Sequence, residues 1–199
     1  MQSIWRVINT KYTLWLILMF PGVMFLMGLM SGKLDYDKFM HATGEFAGRF
    51  LVITLIATPL VLMFPKGRVT KWLVRNRRYF GVASFAYALA HTIYYLIEIP
   101  IQQVGAEFFT FSILIGWVAF IIFIPLALTS NDASVRWLKE KWKPLQRWVY
   151  LAALGTLLHW MFIKEGHIAP ALVHFTPVAL LQLYRVWKER QLSNQISGV

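Results

Sequence analysis

The chain has 199 residues, of which 58% are hydrophobic and 15% are charged, and its mean hydropathy is +0.54. Soluble domains are about 25% charged, so this composition indicates a membrane protein. The absence of cysteine excludes disulfides, thiolate metal sites and thiol catalysis. The net charge of +11 resembles that of a nucleic-acid-binding protein, but membrane topology explains the distribution of the basic residues, and we expect no nucleic-acid partner.

Six hydrophobic segments follow one another, each near the roughly 20 residues that a helix needs to cross a bilayer core. They are residues 13–31, 42–64, 79–101, 108–128, 146–163 and 169–187. Helices are expected because lipid offers the backbone no hydrogen-bond partner. No convincing cleavage site follows the basic N-terminus, so we interpret the first segment as a span rather than a signal peptide. Short loops without repeats predict one all-α domain over residues 1–199, a six-helix transmembrane bundle.

Basic residues collect on one side of these segments. The loop after the second segment contains Lys66, Arg68, Lys71, Arg75, Arg77 and Arg78, and the N-terminus, the loop after the fourth segment and the C-terminal tail are also basic. The other side has only Lys33, Lys38, Arg49 and Lys164. Cytoplasmic loops are enriched in lysine and arginine, so both termini are predicted to be cytoplasmic in a bacterial inner membrane.

The loop after the fourth segment contains helix-capping residues. Ser130 and Asn131 are of the type that caps a helix, and Asp132 suits the positive end of its dipole. We therefore expect a short amphipathic helix along the cytoplasmic surface. A serine nucleophile is not expected there, because no histidine base is evident on the same side.

Histidines in three segments lie towards the outer side. His41 opens the second segment, His91 lies about 18 Å along the third, and His159 lies about 20 Å beyond Gln146 in the fifth. One intramembrane histidine can simply bond a neighbouring helix. Two at matching depth favour axial ligation of a heme iron, an arrangement suited to electron transfer. His41 could be a third ligand, a propionate partner or an interfacial residue.

Small residues accompany His41 on its helix. His41, Gly44 and Gly48 share one helical face, where a flat macrocycle could approach the backbone. The same glycines form a GxxxG pattern, which is typical of close helix packing. Arg49 could pair with a heme propionate or with Glu45.

Other polar residues favour ordinary roles. His167 and His174 lie in or near the last outer loop, where surface roles are expected. Asp35 and Asp37 lie in the first outer loop, where a structural or docking role is expected. The chain has no P-loop, no GxGxxG after a strand and no HExxH motif.

Three stretches resemble a known family. They are HATGEFAGRFLVITLIATPL, RNRRYFGVASFAYALAHTIYY and LALTSNDASVRWLKEKWKPLQRWVYLAALGTLLHW. Together they resemble MsrQ, the heme-binding membrane subunits of the periplasmic methionine sulfoxide reductase system, within the ferric reductase-like transmembrane group. The resemblance covers roughly residues 15–188. It implies a six-helix b-type cytochrome that passes electrons from the quinone pool, or from a cytoplasmic flavin reductase, to a periplasmic molybdopterin reductase. Flavin mononucleotide (FMN) is also associated with the family.

The resemblance assigns roles to individual residues. His91 in ALAHTIYY and His159 in LLHW match heme-ligand positions, and His41 in HATGEFAG matches another family histidine. The chain departs from the family at Leu145-Gln146-Arg147, where the family has Leu-His-Arg. A cytoplasmic-side histidine is therefore missing.

The arginines at positions 77 and 78 help to decide whether the chain can bind a second heme. They lie 14 and 13 residues before His91, where an inner heme would need its partner, and they offer charge but no ligand. We therefore predict one heme b, on the outer side. Arg77, Arg78 and the basic loops could instead contact the phosphate of a flavin. Quinol oxidation in the outer half, or such a flavin, would shorten a gap of about 20 Å between Gln146 and His159.

The sequence thus predicts a membrane electron-transfer subunit, with the chemistry on the final substrate done elsewhere. It is either a family member with an altered electron input or a paralogue that serves a different partner. The alternative is a heme-free structural or assembly subunit of a larger membrane complex, and Gln146 is the residue that supports it. A transporter is disfavoured, because the histidines are the only ionisable residues expected deep within a span.

Overall fold

The computed structural model describes residues 10–163 and 168–197. Its helices are α1 (Lys11–Met30), α2 (Tyr36–Met63), α3 (Arg68–Glu98), α4 (Ile101–Glu107), α5 (Phe111–Leu128), α6 (Asp132–Leu138), α7 (Trp142–Gln146), α8 (Val149–Phe162) and α9 (Ile168–Ser197), with a 3-10 turn at Lys139–Lys141. The described residues contain no strand, so the predicted all-α class is confirmed. Lys164 and His167 lie outside the described residues.

Within the described residues, four helices are long and apolar enough to cross a bilayer, namely α1, α2, α3 and α5. Helix α8 is also apolar but has 14 residues. Each of the six predicted segments coincides with a helix, and α3 and α9 continue well beyond the apolar stretch into polar sequence. Hydropathy marks the part of a helix that suits lipid, whereas backbone hydrogen bonding continues past it. Six spans with cytoplasmic termini remain a prediction.

The bounds of all six predicted segments differ from those of the helices, and two of the differences have local causes. The third was expected to reach residue 101, but α3 ends at Glu98 because Ile99 adopts the extended conformation favoured before Pro100. The fifth was expected from residue 146, but α7 ends at Gln146 and α8 begins at Val149 after a tight turn.

Helices α2 and α3 run antiparallel and pack along their length. The buried Ser84 hydroxyl of α3 donates to the Ala47 carbonyl of α2 at 2.8 Å. About one helical turn from this bond Phe50 packs against Phe80, with ring centroids 6.3 Å apart. These contacts hold the histidine of α3 at a fixed height against α2.

Polar residues at the helix starts act as caps. The Asp35 carboxylate accepts a hydrogen bond from the backbone N–H of Lys38 at 2.9 Å and so caps α2, a structural role. Its side-chain hydrogen bond with Lys38 lowers the pKa of Asp35 below its ordinary value. Asn131 caps α6 through a 2.8 Å bond from Ser134, as expected. Ser130 does not cap α6, because its hydroxyl donates back to Leu126 of α5.

The basic segments meet at one end of the bundle, which we call the basic end. Arg78 of α3 forms a 2.7 Å ion pair with Asp132 of α6, which joins the loops after the second and fourth segments. Arg185 of α9 donates to the hydroxyl of Tyr150 on α8 at 2.7 Å. The tertiary contacts therefore place together the segments that the sequence assigned to one side of the membrane.

Candidate functional site

The structure brings His91 of α3 and His159 of α8 together. Their ring centroids are 6.4 Å apart and their planes are perpendicular, at 88°. Imidazole nitrogens bind transition metals at about 2.0 Å. Because a ring centroid lies about 1 Å behind its nitrogen, two imidazoles that share one metal have centroids about 6 Å apart. The observed spacing fits a metal ligated from both sides.

Each ring of the pair has its Nδ1 atom anchored to a neighbouring helix. His91 Nδ1 lies 3.0 Å from the carbonyl of Met40 on α2, and His159 Nδ1 lies 2.7 Å from the carbonyl of Ser112 on α5. A carbonyl only accepts hydrogen bonds, so in each neutral ring Nδ1 carries the proton. Both Nε2 atoms keep a lone pair for a metal, which is the arrangement of metal-ligating histidines. The donor set therefore fits the two axial positions of a heme iron.

Glycines make room for both rings. A methyl group on Gly44 would lie 3.2 Å from the His91 ring, and one on Gly116 would lie 2.6 Å from His159 Nδ1. A methyl group on Gly48 would lie 2.9 Å from the ring of Trp160. The glycine face predicted on α2 therefore does allow flat rings to approach the backbone. In the structure these rings are His91 of α3 and Trp160 of α8. Contact of Gly44 and Gly48 with a porphyrin remains a prediction.

Helix α5 contributes two residues that the sequence reasoning missed. The Ser112 carbonyl orients His159, and Gly116, one turn further on, leaves space for the same ring. Their spacing is a small-xxx-small pattern, which is typical of close packing between membrane helices. That pattern was the signal that could have identified α5 as part of the site.

The structure places His41 and Arg49 on a polar stripe of α2. His41 has a side chain that is 55% exposed, and its Nε2 lies 3.8 Å from a carboxylate oxygen of Glu45. Arg49 donates to the other oxygen of Glu45 and lies over the ring of Phe46 at 5.3 Å. The sequence allowed two partners for Arg49, a heme propionate and Glu45. In the structure Arg49 pairs with Glu45. A role of His41 as a third ligand and a propionate contact of Arg49 remain predictions.

The environment of His174 differs from the surface role expected for it. Its ring lies 5.1 Å from the ring of Trp160, and its Nδ1 donates to the carbonyl of Pro170 on its own helix at 2.8 Å. The side chain is partly buried because α9 packs on α8 at this level. His174 thus packs directly on α8, against the residue that follows His159.

Gln146 and the two arginines lie at the basic end. The Gln146 amide donates to the Leu126 carbonyl at 3.2 Å and to the Thr129 hydroxyl at 2.9 Å. Arg77 donates to Thr58, and Arg78 pairs with Asp132. Gln146, Arg77 and Arg78 line a cavity of about 260 Å³, and none of the described residues around it is histidine, cysteine or methionine. The prediction of a single heme rests on this lining.

Comparisons with known proteins found one family model and several relatives. The model of the family described as the ferric reductase like transmembrane component matches residues 43–157, a range that includes His91 and Gln146 and ends before His159. The chain is 32% identical to proteins of Brucella ovis, Brucella canis and Brucella suis in an alignment of 167 positions that covers 78% of this chain and 72% of each relative. Each relative is named protein-methionine-sulfoxide reductase heme-binding subunit MsrQ. No solved structure matches the chain significantly.

Proposed function

Because the chain belongs to the ferric reductase-like transmembrane family, and within it to the MsrQ heme-binding subunits, we propose that it binds one heme b between His91 and His159. It is a multi-pass protein of the bacterial inner membrane and a heme-binding electron-transfer subunit. The observation that carries the proposal is the imidazole pair, 6.4 Å apart, with each Nδ1 bonded to a backbone carbonyl.

The bound heme would supply a one-electron couple between its ferric and ferrous states. His91 and His159 would hold the iron from both sides, and the site would then serve electron transfer rather than oxygen binding. The carbonyls of Met40 and Ser112 fix the tautomer of each ring and raise its basicity towards iron. A site of this kind transfers electrons, and the reduction of the final substrate belongs to a partner protein.

The proposed acceptor is a periplasmic methionine sulfoxide reductase of the molybdopterin type. The name of the relatives supports the methionine sulfoxide reductase system. The position of the pair supports the periplasmic side, because His91 lies only about 10 Å from the end of α3 that is remote from the basic end. By the positive-inside rule that remote end faces the periplasm.

The proposed donors are the quinone pool and a cytoplasmic flavin reductase. FMN is a second proposed cofactor, with Arg77 and Arg78 as its contacts at the basic end. Both guanidiniums are held by neighbours, Thr58 and Asp132, and each retains further N–H donors. A flavin there would supply the inner redox centre that Gln146 does not provide.

The test is a reduced-minus-oxidised absorbance spectrum of the purified protein, with heme quantified per chain. We expect a b-type spectrum and about one heme per chain, which should be lost in both His91→Ala and His159→Ala. His174→Ala is the matched control and should keep the heme, because the His174 ring packs on Trp160 and is outside the pair that His91 and His159 form. His41→Ala tests the third-ligand role by the shape of the same spectrum.

Two results would overturn the proposal. Retention of the wild-type spectrum in either ligand variant would remove the pair as the heme site. No heme in the wild-type protein, after expression with an adequate heme supply, would favour the heme-free structural or assembly subunit.

A further inference from the structure

One turn of α2 contacts the ring of His91 at three points. The Met40 carbonyl lies 3.0 Å from Nδ1 of the ring, and the Thr43 hydroxyl oxygen lies 3.4 Å from the same nitrogen. Gly44 lies beside the ring, since a methyl group added there would lie 3.2 Å from its Cε1 and Nδ1 atoms. Of these three contacts, the one from Thr43 is made by a side-chain atom.

Thr43 is a polar side chain in the interior of the bundle. Its exposed fraction is 2%, and the other buried polar residues in the described part of the chain are Ser84 and Ser112. Burying a hydroxyl costs free energy unless the group is hydrogen-bonded. The bonds of this hydroxyl therefore indicate what it does beside the ring.

The single hydrogen of the Thr43 hydroxyl belongs to the shorter of two contacts. Thr43 donates to the Phe39 carbonyl at 2.8 Å, whereas the Met40 carbonyl lies 3.2 Å away. A bond of this kind, to the carbonyl four residues back, is common for threonine in helices and uses only the hydrogen. The lone pairs of the oxygen remain as acceptors.

The Nδ1 atom of His91 is the donor that meets these lone pairs. Nδ1 carries the proton of the neutral ring, because the Met40 carbonyl can only accept. The proton is therefore shared between the Met40 carbonyl, which is the nearer acceptor, and the Thr43 oxygen, which is the longer arm of a three-centre hydrogen bond.

We propose that Thr43 is a positioning residue for His91, and that its hydroxyl oxygen, as a second acceptor for Nδ1–H, helps to set the potential of the bound iron. This inference rests on the proposed heme function. An acceptor on the outer N–H of a ligating imidazole fixes the ring and raises its basicity. A more basic axial ligand favours ferric over ferrous iron, so Thr43 keeps the potential lower than the Met40 carbonyl alone would.

Two substitutions separate the hydroxyl of Thr43 from the packing of its side chain. Thr43→Val replaces the hydroxyl by a methyl group, whereas Thr43→Ser keeps the oxygen and removes the methyl group. The midpoint potential of the heme is measured by redox titration of the purified protein in nanodiscs, with heme per chain and unfolding temperature in the same samples. We expect Thr43→Val to keep its heme and shift the potential upward, and Thr43→Ser to keep the wild-type potential.

Thr54→Val is the matched control on the same helix. The Thr54 hydroxyl donates to the Phe50 carbonyl at 2.8 Å, which is the same bond to the carbonyl four residues back. Thr54 lies about 16 Å further along α2 than Thr43, so its hydroxyl cannot reach the ring of His91. The potential of this variant should equal that of wild type, whatever happens to its unfolding temperature.

The inference is overturned by an unchanged or lower potential in Thr43→Val, or by an equal shift in Thr43→Ser or Thr54→Val. If Thr43→Val loses its heme, retention of heme and potential by Thr43→Ser supports the role of the hydroxyl, and loss from both variants overturns it. A wild-type protein without heme would overturn the proposed function together with this inference. A normal wild-type heme with an unmoved potential in Thr43→Val would overturn this inference alone.

Discussion

At the scale of single residues, the histidine pair depends on four helices although only two carry its rings. His91 and His159 belong to α3 and α8, whereas the carbonyls that orient them belong to Met40 of α2 and Ser112 of α5. Backbone carbonyls cannot be removed by changing a side chain, so the tautomer of each ring is insensitive to substitution at these two positions. The space beside the rings is sensitive to substitution, because a methyl group at Gly44 or Gly116 would lie too close to them.

Gly116→Ala should remove most of the heme. The added methyl group would lie 2.6 Å from His159 Nδ1, so the ring or α5 must shift, and overpacking of this kind costs about 1–3 kcal/mol. Gly105→Ala is the control, because nothing lies within 4 Å of the added atom. Heme per chain and the unfolding temperature are the measurements. Equal heme content in both variants would show that the ring at residue 159 can move without loss of the site.

At the scale of the helices, a tyrosine joins α1 to α3. The buried hydroxyl of Tyr87 accepts from the backbone N–H of Gly22 at 2.6 Å and donates to the Leu18 carbonyl at 3.0 Å. Gly22 and Leu18 are four residues apart, so the hydroxyl is inserted into the helical hydrogen-bond ladder of α1, next to Pro21. A side chain of α3 thereby supplies part of the backbone bonding of α1.

Tyr87→Phe should lower the unfolding temperature and leave the heme spectrum unchanged. The two backbone groups would lose a bridging partner, at a cost of about 0.5–1.5 kcal/mol, which corresponds to roughly 1–6 °C for a chain of this size. Tyr184→Phe is the matched control, since its ring packs on Trp187 and its hydroxyl makes no hydrogen bond with a described residue. The bridge does not stabilise the bundle if both variants unfold at the wild-type temperature.

At the scale of the whole molecule, the orientation in the membrane follows from charge. The basic loops and α9 meet at one end, and the histidine pair lies towards the other. Translocating clustered lysine and arginine is unfavourable, so the basic end should remain in the cytoplasm.

A fusion of reporters to the C-terminus tests this orientation. Green fluorescent protein attached after Val199 should fluoresce, and alkaline phosphatase at the same position should be inactive, because both termini are predicted to be cytoplasmic. The opposite pattern would place the histidine pair on the cytoplasmic side and would remove the argument for a periplasmic acceptor.

The sequence could single out the two histidines that the structure brings together, but not the residues that support them. His91 and His159 are conspicuous because an ionisable side chain is costly in an apolar segment. Ser112 and Gly116 are ordinary residues of a membrane helix, and they acquire a role only because α5 packs against α8. The structural role of His174 depends in the same way on the packing of α9 against Trp160.

The sequence by itself determined the membrane class, the approximate helical segments, the charge asymmetry and the family, because each is a property of composition, local pattern or motif. Only the tertiary structure decided that the rings of His91 and His159 lie 6.4 Å apart, and that one turn of α2 contacts the ring of His91 at three points. The physical reason is that these distances join residues far apart in the chain. They are set by the packing of whole helices, which no local pattern records.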